Sequence, residues 1–228
     1  MPGKVPERAT RAAAALLGLG ALAYTAWLLE VLVRTGLDPV RTYVSELAAA
    51  DQPLGGLFRA TDLAAGLLVL AGALTGLAAT RSHGPWARGG WIALAVFGAA
   101  TVADSRLPLS CAPTADPACA ARETAGLVPA THTAHAVSST LAMTGALAAM
   151  VALTVAARRY GHWRPLARTG PALVVLELAA TTWTLAAMAA FEAGRGTWAL
   201  GAGQRLQVLL VAVWLAVLAG SLVRGRSR

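Results

Sequence analysis

The segment ATHTAHAVSSTLAMTGALAAMVALTVAA, residues 130–157, opens with two histidines and then runs without a charge from Ala136 to Ala157. About 20 apolar residues suffice for a helix to cross the hydrocarbon core of a bilayer. The run is continuous rather than alternating, which excludes a strand of a transmembrane barrel. Five other segments read the same way, at about 11–33, 60–80, 88–107, 171–191 and 204–223. In the third, the uninterrupted apolar part is Trp91 to Ala103, so a full span must take in Arg88 or Asp104. Gly170-Pro171 reads as the start of the fifth, with proline at an early helical position. The expected fold is therefore all-α: one polytopic membrane domain over residues 1–228, with six transmembrane helices.

Composition supports this reading. Of 228 residues, 57% are hydrophobic and 13% are charged. A soluble domain carries about 25% charged residues, and disorder needs low hydrophobicity. Six spans use roughly 120 residues, which leaves loops but no separate soluble domain.

The net charge of +8 would suggest nucleic acid in a soluble protein. Its placement argues for topology instead. Twelve of the 19 basic residues fall on one side of the expected bundle: Lys4, Arg8, Arg11, Arg81, Arg88, Arg158, Arg159, Arg164, Arg168, Arg224, Arg226 and Arg228. Glu7 is the one acid there. The other side holds seven arginines among nine acids. Basic residues mark the cytoplasmic side, so both termini are expected there. One lysine against 18 arginines suggests the coding bias of a GC-rich bacterium, hence a bacterial plasma membrane. Ala21-Leu22-Ala23 fits a signal-peptide cleavage pattern. The apolar run continues past it to Val33, which favours an uncleaved first span.

Gly72-x-x-x-Gly76 matches a close-packing motif, read here as packing within one chain. In the first outer loop, Asp38-Pro39 reads as an N-cap followed by proline at the first helical position. Val40, Tyr43, Val44 and Leu47 then form one apolar stripe of a short interfacial helix, with Arg41, Ser45 and Glu46 off the stripe. Cys111 and Cys119 share one outer loop, where a disulfide is the expected state.

Ionisable groups converge at one depth: Ser45 and Glu46 on the loop, Asp62, Asp104, and His132 with His135. Such groups in or beside a span need partners. His132 and His135, three apart, fall on roughly one helix face near a helix N-terminus, where the dipole favours neutral imidazole. With Asp104 or Glu46 they offer three ligands and an open position for a divalent metal such as zinc. Ser45 would polarise a substrate. A structural hydrogen-bond network and a metal-free proton-handling site are the other readings of the same residues. Glu177 lies within the fifth span, expected nearer its cytoplasmic end. As an intramembrane carboxylate it is a functional candidate. Glu177, Trp183 and Arg41 are the candidate substrate-binding side chains. Glu192, Arg195 and Arg205 read as outer-edge charges. No P-loop, GxSxG, Rossmann, CxxC or haem motif occurs in the sequence.

The Tyr43-Val44-Ser45-Glu46-Leu47 segment, the acidic end of span three and the cysteine loop leading to His132 and His135 resemble the bacterial membrane family called domain of unknown function 998. That resemblance implies a six-helix membrane protein and no particular activity. A more distant similarity is to the alkaline ceramidase and progestin/adipoQ receptor superfamily, whose seven-helix members arrange Ser, Asp and three His around zinc to hydrolyse lipid amides. It implies those roles for Ser45, Asp104, His132 and His135. A third outer histidine is missing, since His83 and His162 fall on the cytoplasmic side, and Glu46 would have to replace it.

The leading functional expectation is a lipid-directed membrane hydrolase using Asp104, His132 and His135, with Ser45 and Glu46 assisting and a metal as the implied cofactor. A second is a metal-independent cyclase that protonates a prenyl chain through a carboxylic acid, with tryptophans stabilising cations. A third is a non-catalytic transporter, sensor or accessory subunit. The expected partners are the lipid bilayer and a lipid or prenyl-type substrate, not nucleic acid.

Overall fold

Long runs of Ala, Leu and Val give helices that satisfy their own backbone, the requirement lipid imposes on a spanning chain. The computed structural model describes residues 7–79 and 84–224. Lys4, Thr80, Arg81, His83, Arg226 and Arg228, used in the reading above, lie outside the described residues.

Six helices are long and apolar enough to cross a membrane. They are α1 (Glu7–Tyr24, prolonged by a 3-10 segment, Ala26–Val31), α2 (Gly55–Ala79), α3 (Gly84–Arg106), α5 (Ala130–Arg159), α6 (Arg164–Glu192) and α7 (Leu200–Arg224). Among the described residues there is no strand. The spans pack in a closed ring, each against two neighbours, in the order α1, α2, α3, α5, α6, α7 and back to α1. Trp91, Phe97, Leu94, Met150, Trp214 and Leu215 are among the buried side chains that fill its core. Leu22, Leu74, Val175 and Leu185 point outward and are exposed, as lipid-facing side chains must be in a solvent as apolar as they are. This is a multi-pass membrane protein.

Three local readings need correction. First, Asp38-Pro39 opens a turn, not a helix. The Asp38 side chain accepts from Val40 N at 2.8 Å, and Thr42 N bonds back to the Asp38 carbonyl at 2.9 Å. Helical structure begins only with a 3-10 segment at Val44–Ala48, so the apolar stripe breaks and Val40 is left exposed. The same Asp-Pro signature does start a helix elsewhere. Asp116 caps α4 (Pro117–Thr124), accepting from Ala118 N at 2.9 Å.

Second, Pro171 does not start the fifth span. Pro165 holds the early helical position, and Pro171 sits inside α6. A proline within a transmembrane helix is tolerated where neighbours re-satisfy the freed carbonyl. The added turns move Glu177 from the expected cytoplasmic end to the middle of the span. Third, Arg205 is not an edge charge. It is buried at 7% exposure and forms a two-pronged ion pair with Glu30, at 2.6 and 2.7 Å. Its Nη1 also donates to the Thr42 carbonyl at 2.9 Å.

Small residues set how closely the ring closes. A methyl group built on Gly98 would meet the Leu70 backbone nitrogen at 2.6 Å and the Gly66 carbonyl at 2.9 Å. The α2 and α3 backbones therefore touch there. Gly72 faces Leu17 of α1 and Gly76 faces Trp91 of α3, so that glycine pair serves two neighbours within the chain. Gly98→Ala is expected to cost about 1–3 kcal/mol, because the obstacle is backbone and cannot swing away. Gly89→Ala meets nothing within 4 Å and should leave stability unchanged or raised. Thermal unfolding in detergent, followed by circular dichroism, compares the two.

Candidate functional site

Asp104 stands two residues before the end of α3. On α5, His135, Ser138 and Ser139 recur at i, i+3 and i+4, which puts all three on the face turned to α3. The four side chains meet. Ser138 donates to Asp104 Oδ1. Ser139 Oγ donates to Asp104 Oδ2 at 2.8 Å. His135 Nδ1 lies 3.1 Å from Asp104 Oδ1 and 2.9 Å from the Leu107 carbonyl. Both of those partners are acceptors, so Nδ1 carries the proton. In the neutral ring, Nε2 then keeps its lone pair, 3.3 Å from Ser139 Oγ. His135 and Ser138 are both buried.

Asp104 and Ser139 form part of the wall of a cavity of about 130 Å³. An apolar cavity of about 150 Å³ holds benzene, so this one suits the end of a longer molecule. Its other polar walls are Tyr24, Ser45, Asp62, Thr101, Gln204 and Gln207, with Trp27 beside them. Five of the six spans contribute, and the 3-10 segment carrying Val44 and Ser45 covers it. Val44 N is tied to Gln204 Oε1 at 2.9 Å, which pins that cover to α7. Asp62 of α2 and Asp104 of α3 line the same cavity. The Asp62 carboxyl makes no hydrogen bond among the described residues. The two carboxyls therefore differ: Asp104 has three side-chain donors and Asp62 has none. Trp27 Nε1 is a buried donor without an acceptor.

Glu46 does not line this cavity. Its carboxyl, fully buried, reaches into the cysteine loop, where Thr114 N donates to Oε1 at 2.7 Å and Thr114 Oγ1 to Oε2 at 2.5 Å. The loop is closed by the Cys111–Cys119 disulfide, with Cα atoms 6.0 Å apart. His132 serves the same loop. Ser110 N donates to its Nδ1 at 3.1 Å, which leaves the neutral ring's proton on Nε2, 3.4 Å from Glu123 Oε1. The expected metal set is thus divided between two places. Among the described residues, no three His, Cys, Asp or Glu side chains gather as a metal site. The described residues do not fit a zinc ion.

The substrate-binding candidates also separate. Arg41 is exposed and pairs with Asp38 at 3.6 Å. Trp183 Nε1 donates to the Trp198 carbonyl at 3.0 Å, which ties α6 to the turn before α7. Glu177 is fully buried behind the cavity wall. Of the residues singled out from the sequence, Ser45, Asp62 and Asp104 line the cavity, and His135 stands directly behind it.

Residues 7–221 match the family model described as protein of unknown function (DUF998). The chain belongs to the DUF998 family. No curated protein and no solved structure matches it. For this DUF998 protein, sequence reasoning missed Tyr24, Ser138, Ser139, Gln204 and Gln207. The serines carried a signal, since His135 followed at three and four residues by serine places three polar groups on one face. The two glutamines, three apart at the start of α7, carried the same kind of signal.

Burial pushes the Glu46 carboxyl up to about 7 from the ordinary 4.5, outweighing the Thr114 bonds and the Arg205 charge, which pull it down. A carboxyl raised on folding favours the folded state while protonated. Its contribution is full below about 4.5 and is lost as pH rises through about 7. The thermal midpoint in detergent should therefore fall between pH 5 and pH 8, and Glu46→Gln should flatten that slope. Equal slopes in the two proteins would contradict the assignment.

Proposed function

We propose that this protein is a metal-independent, lipid-directed membrane hydrolase that works by acyl transfer to Ser139. The observation behind this reading is the chain from Ser139 Oγ to His135 Nε2 at 3.3 Å and from His135 Nδ1 to Asp104 at 3.1 Å, with Ser139 on the cavity wall. Nucleophile, base and orienting carboxylate in hydrogen-bond sequence form the arrangement that activates a hydroxyl. The tautomer agrees, because Asp104 and Leu107 hold the proton on Nδ1 and leave Nε2 basic. At rest, the Ser139 hydroxyl also donates to Asp104. Substrate entry turns it toward Nε2.

Ser139 Oγ then attacks the acyl carbon, and its proton passes to His135 Nε2. The developing oxyanion takes donors from Gln204 and the Trp27 indole, which line the same cavity. His135 returns the proton to the leaving alcohol or amine. Water, deprotonated by the same ring, releases the acid. The lipid-facing ring and the small cavity suit a substrate whose chains stay in the bilayer while one acyl bond enters.

A second reading has its own observation. Asp62, a carboxyl without a hydrogen bond among the described residues, lines the cavity together with two aromatic side chains, Tyr24 and Trp27. A carboxylic acid protonating the end of a prenyl chain, with aromatic faces to stabilise the cation, would use those three residues.

A fluorophosphonate probe separates the two in purified protein. The hydrolase reading predicts covalent labelling that peptide mapping places on Ser139. Labelling should vanish in Ser139→Ala, fall at least tenfold in His135→Gln, and persist in Ser138→Ala, since Ser138 does not line the cavity. Absence of labelling in folded wild type would overturn the hydrolase and leave Asp62 as the leading acid.

A further inference from the structure

Glu177 stands at residue 14 of the 29 in α6, about 20 Å from either helix end at 1.5 Å per residue. It is fully buried, and neither carboxyl oxygen completes a hydrogen bond. A charge at that depth costs about 3 kcal/mol even on the mildest insertion scales, and a lone buried carboxyl has no packing advantage over leucine. Its surroundings are polar on one side only. Gln207 of α7 reaches α6 beside it, donating from Nε2 to Thr181 Oγ1, one turn beyond Glu177, at 2.9 Å, and Gln207 also lines the cavity. Tyr24 of α1 is another wall of the same cavity. The neighbouring helices place their other charged groups far along the axis: His132, His135, Arg158 and Arg159 near the ends of α5, Arg205 and Arg224 near the ends of α7, and Arg164, Arg168 and Glu192 near the ends of α6 itself.

We propose that Glu177 is a proton-binding site at the bilayer midplane, joined to the cavity through Gln207. The ligand is the proton itself. The cavity carboxyls take it from the water at the loop end, and Glu177 holds it halfway across the membrane. That placement belongs to a protein that couples events at the cavity to the movement of a proton through half the bilayer. It does not depend on whether Ser139 is a nucleophile.

Infrared spectroscopy of the full-length protein in lipid vesicles tests the assignment. The expected result is a carbonyl stretch of a protonated carboxylic acid that is absent in Glu177→Gln and displaced in Glu177→Asp. In wild type it should shift within seconds of transfer from H2O to D2O. In Gln207→Leu, which cuts the polar link, the shift should slow at least tenfold. Three outcomes would overturn the proposal. The band could survive in Glu177→Gln, it could fail to shift in D2O over hours, or it could exchange as fast in Gln207→Leu as in wild type. The second would make Glu177 a sealed structural acid, and the third would remove its connection to the cavity.

Discussion

A carboxylate placed in a membrane helix must be held by something other than water, and Asp104 is held from one direction. All of its side-chain donors come from a single face of α5: His135, Ser138 and Ser139. Three bonds converge on two oxygens, near the end of a helix pair whose interface is built from small residues and the Phe97 and Leu94 side chains. Hydrogen bonds to a charged group are the strong ones, and they strengthen further where solvent is excluded. The junction of α3 and α5 is therefore fixed in rotation as well as in distance. The same bonds set the His135 tautomer and aim Ser139 at the cavity, so packing and chemistry rest on one contact.

The covered end of the ring is assembled from further polar ties between segments distant in sequence. Glu46 caps Thr114 in the cysteine loop, Ser110 bonds His132, and Arg205 joins Glu30 to the Thr42 carbonyl. Each tie takes a loop that lipid or water could displace and makes it part of the wall or the roof. The disulfide closes the cysteine loop, so that Ser110 and Thr114 reach their partners together. Glu46 and His132 thus do architectural work in the place where a metal was expected. Asp62, by contrast, is left open to the cavity.

The six spans, the disulfide and the depth of the polar layer were legible because each rests on local pattern: apolar run length, cysteine spacing, and charges at the ends of runs. What was not legible depends on partners far along the chain. The pair His132 and His135 shows the limit. Spacing puts them on one face, but His132 turns to a loop 22 residues before it while His135 turns to α3. Nothing within the H-x-x-H segment distinguishes them. Asp38-Pro39 and Asp116-Pro117 show it again, since an identical start signal gives a turn in one place and a helix in the other. Propagation depends on what the next turn packs against. Glu177 was misplaced because Gly170-Pro171 is a better local start signal than Trp163-Arg164-Pro165, yet a proline inside a membrane helix costs less than in water.

The site rests on the hydrogen bond from the His135 ring to Asp104, and a double-mutant cycle measures it directly. Unfolding free energies of Asp104→Asn, His135→Gln and the double variant, taken in one detergent, give the coupling between the two side chains. Contacting residues in one polar network couple by about 0.5–3 kcal/mol, and a hydrogen bond to a buried carboxylate falls within that range. The account predicts a coupling of at least about 1 kcal/mol, with the double variant less destabilised than the sum of the singles. Single effects that add to within about 0.3 kcal/mol would mean that the two side chains do not act on each other, and the site would have to be rebuilt around another pair.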